Sequence, residues 1–270
     1  MPLAAAIQMS AGPDKGANLE KAERLIREAV RRGAELVVLP EVFSWRGSRR
    51  EEAESGAGEP VPGMTSELLS SLARELRIHL QSGSILERIE GERRCYNTAL
   101  LFSPDGAIRG QYRKIHLFDV QIPGQVDARE SEIRKPGDRA VVVETPLGRV
   151  GLSVCYDLRF PELYRELSRS GAEILCIPSA FTFPTGAAHW EPLIRARAIE
   201  NQAFVIAPNQ YGPSPHGHRD YGNSMIVDPW GTVVTRAGDA ETVITAELDL
   251  GYLAKVRKEL PCLRHRRLEP

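Results

Sequence analysis

The chain has 270 residues, 42% hydrophobic and 26% charged, enough to bury one large core at the upper end of single-domain size. Lys plus Arg number 35 against 36 Asp plus Glu, a net charge of -1 with no block of like charge, which argues against nucleic acid as a partner. No run of about 18 apolar residues occurs, and the start MPLAAAIQMS lacks a basic segment leading into a long apolar one, so a cytosolic protein with no membrane span is expected.

Short apolar runs alternate with amphipathic stretches from end to end, which predicts a layered α/β protein in a single domain over 1–270. LAAAIQM reads as a buried strand. Asn18 is the expected cap of a helix through NLEKAERLIREAVRRG, whose Leu19, Ala22, Leu25, Ile26 and Val30 recur at helical spacing before Gly33 stops it. ELVVLPE is a strand ending at Glu41, residues 64 to 77 a helix, IHLQSGSIL a strand, and YNTALLFSPDGAIRGQYRK a hairpin turning at Pro104, Asp105 and Gly106. Residues 119 to 139, rich in Pro, Gly and charge, form the longest expected irregular connection, a kind of loop that often carries function.

Beyond it, AVVVETPLGRVGLSVCYD gives another hairpin, and Pro161 suits the first turn of the helix PELYRELSRSG, where a missing N–H is no loss. AEILCIPSAF is a strand, AHWEPLIRARAIENQ a helix, AFVIAPNQ a strand and GNSMIVDPWGTVVTRA a last hairpin.

Glu41, Lys114 and Cys155 each end a predicted strand, where sites in α/β sheets collect. Cys155 stands at a strand-to-helix turn, where backbone N–H groups and the helix dipole favour thiolate and can hold an oxyanion. Singly, each residue has a bland reading: a small hydrophobe at the core edge, a capping carboxylate, a solvated strand end. Together they supply the nucleophile, the base and the cation of a cysteine amidase. Cys95, Cys155, Cys176 and Cys262 are scattered, with no CxxC pair and no zinc-finger spacing, so no metal, cofactor or disulfide framework is expected. His216, Gly217 and His218 lie in a Gly/Pro-rich stretch and read as a solvated loop rather than a metal site.

LVVLPEVF, GQYRKIHLFD and GLSVCYDLRFPEL, in that order, resemble the three signature segments of the nitrilase superfamily of carbon–nitrogen hydrolases. SAFTFPTGAAHWEPLIRARAIENQAFVIAPNQ, YGNSMIVDPWGTVV and LPCLRHRR resemble its Nit branch, deaminated-glutathione amidases in particular, with omega-amidases close by. The resemblance implies an αββα sandwich that dimerises through its helical face into αββα–αββα, and a Glu41, Lys114, Cys155 triad. It places Glu130 at the position of a second catalytic glutamate, with Glu132 the neighbouring alternative.

The implied reaction is hydrolysis of a small linear amide bearing carboxylates, deaminated glutathione first among candidates, to a carboxylic acid and ammonia through a thioester. The Tyr156 backbone N–H and Lys114 would meet the oxyanion. Arg159 either binds a substrate carboxylate or braces the fold; Phe181, Thr182 and Thr185 line the pocket, and Phe183 packs in the core. Trp190, Arg195 and Arg197 read as burial and surface pairing. The chain departs from the Nit pattern at Asn223, where histidine is usual, which leaves the role of that position open. An omega-amidase, N-carbamoyl hydrolase or nitrilase would use the same triad; a catalytically silent ligand-binding scaffold and a redox thiol protein are the readings from other classes.

Overall fold

In the computed structural model, which describes residues 1–48 and 58–268, the apolar strand segments assemble into two principal sheets. The first runs β17 (Thr242–Glu247), β1 (Leu3–Gln8), β2 (Leu36–Val38), β3 (His79–Gln81), β5 (Cys95–Phe102). β4 (Ile85–Arg88) and β3 pair with successive stretches of β5, and β6 (Ile108–Arg113) takes the opposite edge. The second sheet runs β16 (Val233–Arg236), β15 (Met225–Val227), β12 (Phe204–Ala207), β11 (Ile174–Cys176), β10 (Gly148–Leu152), β9 (Val141–Thr145).

Each sheet has a parallel centre, β1-β2-β3 and β10-β11-β12, and parallel neighbours need crossovers. In the first sheet these contain α1 (Lys15–Arg31) and α2 (Met64–Leu76); in the second, α3 (Pro161–Arg169) and α4 (Phe183–Asn201). Because strand side chains alternate faces, Ala5, Ile7, Val37 and Leu80 pack with Leu25, Ile26, Leu69 and Leu72 of α1 and α2. Their neighbours Ala4, Ala6, Leu36 and Val38 join the core that holds Val150, Leu152 and Ile174 of the second sheet. The result is the αββα sandwich. α5 (Leu250–Glu259) follows β17, and among the described residues no helix is long and apolar enough to cross a membrane.

Several local expectations change. α1 is capped by Asp14, whose Oδ1 accepts the Ala17 N–H at 3.0 Å; Asn18 lies inside the helix and bonds the backbone of Gly12 and Ser44. IHLQSGSIL breaks into β3 and β4 at Gly83, whose φ of +61° suits glycine and where a Cβ would fall 1.9 Å from the Pro40 carbonyl oxygen. α4 starts at Phe183 rather than Ala188, with Thr182 at its N-cap. The 119 to 139 connection is ordered as a hairpin of β7 (Asp119–Ile122) and β8 (Val126–Arg129), then a 3₁₀ turn at Glu130–Glu132; Pro123 and Gly124 are the turn between short strands rather than signs of irregularity. A further hairpin, β13 (Tyr211–Pro213) with β14 (Arg219–Tyr221), forms where Gly and Pro had suggested only loop.

Candidate active site

Glu41 lies just past β2 and Lys114 just past β6 in the first sheet, while Cys155 lies just past β10 in the second. Packing the sheets face to face brings the three together. Cys155 does not sit at the start of an α-helix: it opens a 3₁₀ turn, Cys155–Arg159, and α3 begins only at Pro161. Its φ is +49°, the left-handed region that a side chain rarely adopts. Such backbone persists where surroundings over-determine it, and here the Cys155 N–H donates to the Pro178 carbonyl at 2.9 Å.

Lys114 is 2% exposed and Glu41 5%. The Lys114 Nζ donates to Glu41 Oε1 and Glu130 Oε2, both at 2.9 Å. Glu41 Oε1 also accepts from Asn97 Nδ2 at 2.9 Å, and its Oε2 from the Ala180 N–H at 2.9 Å. Glu130 Oε2 takes a second donor, the Phe118 N–H at 2.7 Å. Glu132 also lines the cavity but pairs with Arg129 at 3.7 Å, so of the two glutamates only Glu130 bonds the lysine. Buried charges survive only when paired and hydrogen-bonded, and this cluster meets that condition at each carboxylate.

The electrostatics follow. Burial works against the Lys114 charge, but Glu130 and then Glu41 outweigh it and hold the ammonium well above its ordinary value, so it stays cationic. Cys155 goes the other way from the thiolate expected of a helix N-terminus. Burial and then Glu41, which also accepts the thiol's hydrogen bond, push it well above the ordinary cysteine value; Lys114 and the Ala180 N–H only partly oppose them. Both effects favour the thiol form of Cys155, which lies beside a carboxylate able to accept its proton.

The cluster forms the floor of a cavity of about 480 Å³. Tyr156, Arg159, Phe181, Thr182 and Thr185 line it, as do Val126 to Arg129 of the β7–β8 hairpin. The Thr182 and Thr185 hydroxyls bond each other at 2.8 Å. The Arg159 guanidinium lies 5.1 Å from the Phe181 ring and 5.8 Å from that of Tyr156, with Nη1 3.1 Å from His189 Nδ1. Among the described residues it has no carboxylate partner, in contrast to Arg46, which pairs with buried Asp220, and Arg197, which pairs with Glu200 and donates to the Leu158 carbonyl.

His216 and His218, read as part of a solvated loop, also line the cavity, because the β13–β14 hairpin folds the segment over it. Phe183 is not core packing: it is 45% exposed and meets Tyr221 edge-on. Asn223 is outside the cavity lining. Its side chain bonds the Tyr221 carbonyl and Arg236, while Trp190, fully buried, donates to its carbonyl. Arg195 donates to the Gly231 carbonyl. Among the described residues, no three His, Cys, Asp or Glu side chains converge as a metal site. Sequence reasoning missed Asn97, which reaches Glu41 and lies 3.4 Å from Glu130. Its signal was an amide, beside Thr98, heading the apolar run Ala99 to Phe102 of β5.

The chain matches the carbon–nitrogen hydrolase family over residues 3–258. It is 45% identical over 272 residues to the deaminated glutathione amidase of Homo sapiens, covering 99% of this chain and 83% of that protein. With the omega-amidase of Xenopus tropicalis it shares 43% identity over 261 residues, 97% of this chain and 93% of the relative. Among solved structures it is similar to the Caenorhabditis elegans NitFhit protein, with a TM-score of 0.91 and 40% identity, covering 98% of this chain and 65% of the other.

Proposed function

Because the chain belongs to the carbon–nitrogen hydrolase family and is an amidase, we propose that Cys155, Glu41 and Lys114 carry out its hydrolysis of a small linear amide bearing carboxylates. Glu41 takes the thiol proton as Sγ attacks the amide carbon. The developing oxyanion meets the Lys114 ammonium and the Tyr156 backbone N–H. Glu41 then returns the proton to the departing nitrogen, which leaves as ammonia from a primary amide and as an amine from a substituted one. Water attacks the thioester with Glu41 again as base, and the carboxylic acid departs. Glu130 holds the ammonium from the far side, bonding it through the carboxylate that also accepts the Phe118 N–H.

The observation that carries the substrate class is Arg159, a cation at the cavity wall without a carboxylate partner among the described residues, suited to a substrate carboxylate. The volume of about 480 Å³ lies in the usual range for small-molecule pockets and accommodates a peptide-sized amide. Deaminated glutathione therefore leads. Omega-amidase action on a smaller amide is the second reading, supported by the 43% identity to an omega-amidase, close to the 45% to a deaminated glutathione amidase.

The test is release of ammonia or amine from deaminated glutathione, α-ketoglutaramate, aliphatic amides, N-carbamoyl amino acids and nitriles, with Cys155→Ala run in parallel. Highest kcat/KM on deaminated glutathione, lost in the variant, is the expected result. Cys155-dependent preference for α-ketoglutaramate would favour the second reading, and turnover that survives Cys155→Ala would overturn the mechanism.

The same reading takes residues 1–270 as one cytosolic domain, supported by the family match over 3–258. It pairs two copies through the helical face into αββα–αββα. Phe183 and Ile199 on α4, 45% and 50% exposed, supply apolar surface for that contact. Sedimentation equilibrium should give a dimer or larger; a monomer at micromolar concentration would refute the pairing.

A further inference from the structure

Asp157 is fully buried two residues beyond Cys155, and Tyr112 and His116 stand two residues on either side of Lys114. The Asp157 carboxylate joins these segments. Its Oδ2 accepts the Tyr112 hydroxyl at 2.7 Å and the Val154 N–H at 2.8 Å. Its Oδ1 accepts the His116 N–H at 3.1 Å and lies 2.7 Å from His116 Nδ1. Donors from both sides of Lys114 and from the residue before Cys155 thus converge on one side chain. Burial and then Asp157 push the Tyr112 phenol well above its ordinary value, which keeps it a donor. The His116 ring is stacked on Phe160, with centroids 3.7 Å apart and planes 5° from parallel.

None of Asp157, Tyr112 and His116 lines the cavity, so they reach the chemistry only through what they hold. Lys114 is anchored in the first sheet by its N–H on the Asn97 carbonyl at 2.8 Å, and Cys155 in the second by its N–H on Pro178. Two packed sheets can slide by a fraction of an ångström, and a misplacement of about 1 Å between reacting groups can lower a rate on the order of 10²-fold. We infer that Asp157, with Tyr112 and His116, is a positioning brace that ties the end of β6 to the Cys155 turn and sets the spacing between the Lys114 ammonium and the Cys155 sulfur. The inference rests on the catalytic reading of those two residues.

Asp157→Asn would turn an amide N–H toward donors and can fail to fold, so the test uses Tyr112→Phe, His116→Ala and their combination in the full chain. The readouts are kcat, KM, melting temperature, and the pH profile of Cys155 alkylation by iodoacetamide, followed at that cysteine by mass spectrometry. The double variant should lose about 10- to 100-fold in kcat with KM within about twofold. Its alkylation profile should move to higher pH, because a displaced ammonium opposes Glu41 less. His116→Asn, which keeps a donor near the Nδ1 position, should recover part of the loss. A lowered melting temperature with kcat and alkylation profile unchanged would overturn the brace. Turnover that survives Cys155→Ala would instead overturn the catalytic reading, and the brace with it.

Discussion

The floor and the rim of the cavity are built on opposite plans. On the floor, Glu41, Lys114 and Cys155 project from strand ends, are almost inaccessible, and share bonds with Asn97, Glu130 and backbone groups. On the rim, Arg159 is half-buried with the exposed His189 as its polar contact, and His216 and His218 come from the turn of a hairpin. On the proposed reading, the reaction is held by groups packed between the two sheets, and selection is left to side chains outside that packing.

That contrast can be broken most directly at Cys155, the proposed nucleophile. Cys155→Ala should reduce turnover by about 10⁴-fold or more while shifting the melting temperature only a few degrees; near-normal turnover would show that the floor is not the reaction centre. Lys114→Met should lower kcat by about 10²- to 10³-fold. It should also destabilise the fold, because buried Glu41 and partly buried Glu130 lose their shared cation, a change of about 3–5 kcal/mol in a denaturant titration.

On the rim the effect should be smaller and of another kind. Arg159→Met should raise KM for a carboxylate-bearing amide by about 10- to 100-fold, with kcat nearly unchanged and a neutral amide unaffected, as expected for loss of a charge-assisted contact. Equal losses on both amides would mean that Arg159 only braces the turn.

The resting thiol offers a subtler check. Burial and Glu41 raise its pKa, so the reactive thiolate appears only as pH climbs. Alkylation of Cys155 should keep accelerating beyond the pH at which an ordinary exposed cysteine levels off; a plateau below it would show a thiolate at rest. Smallest of all, Asn223→His should alter kcat/KM by less than about twofold, since the side chain faces Tyr221 and Arg236. Its φ of +54° is one that histidine also adopts, so a loss of about 1 kcal/mol in stability is expected, from the amide's bonds to the Tyr221 carbonyl and Arg236.

Much of this was legible before any coordinates. Alternating apolar runs predicted the strands, Pro161 marked the start of α3, and the three motif segments brought Glu41, Lys114 and Cys155 under one reading. Misreadings fell where local chemistry supports two structures. Asn18 has the side chain of a cap, but Asp14 stands four residues earlier at the true start. Gly83 looks like any strand glycine until the Pro40 carbonyl is seen against it. A Gly/Pro-rich stretch such as 211 to 221 reads as solvent-exposed loop unless one knows that it folds back over a cavity.

Residue order alone dictated the layered fold and the inventory of reactive groups, because period, turn chemistry and motif spacing are local properties. Packing decided the rest: which glutamate reaches Lys114, that burial and Glu41 push the Cys155 thiol up, and that Asp157 links the two sheets beside it. Those outcomes depend on burial and on charges brought together from distant parts of the chain, and neither exists until the sheets have met.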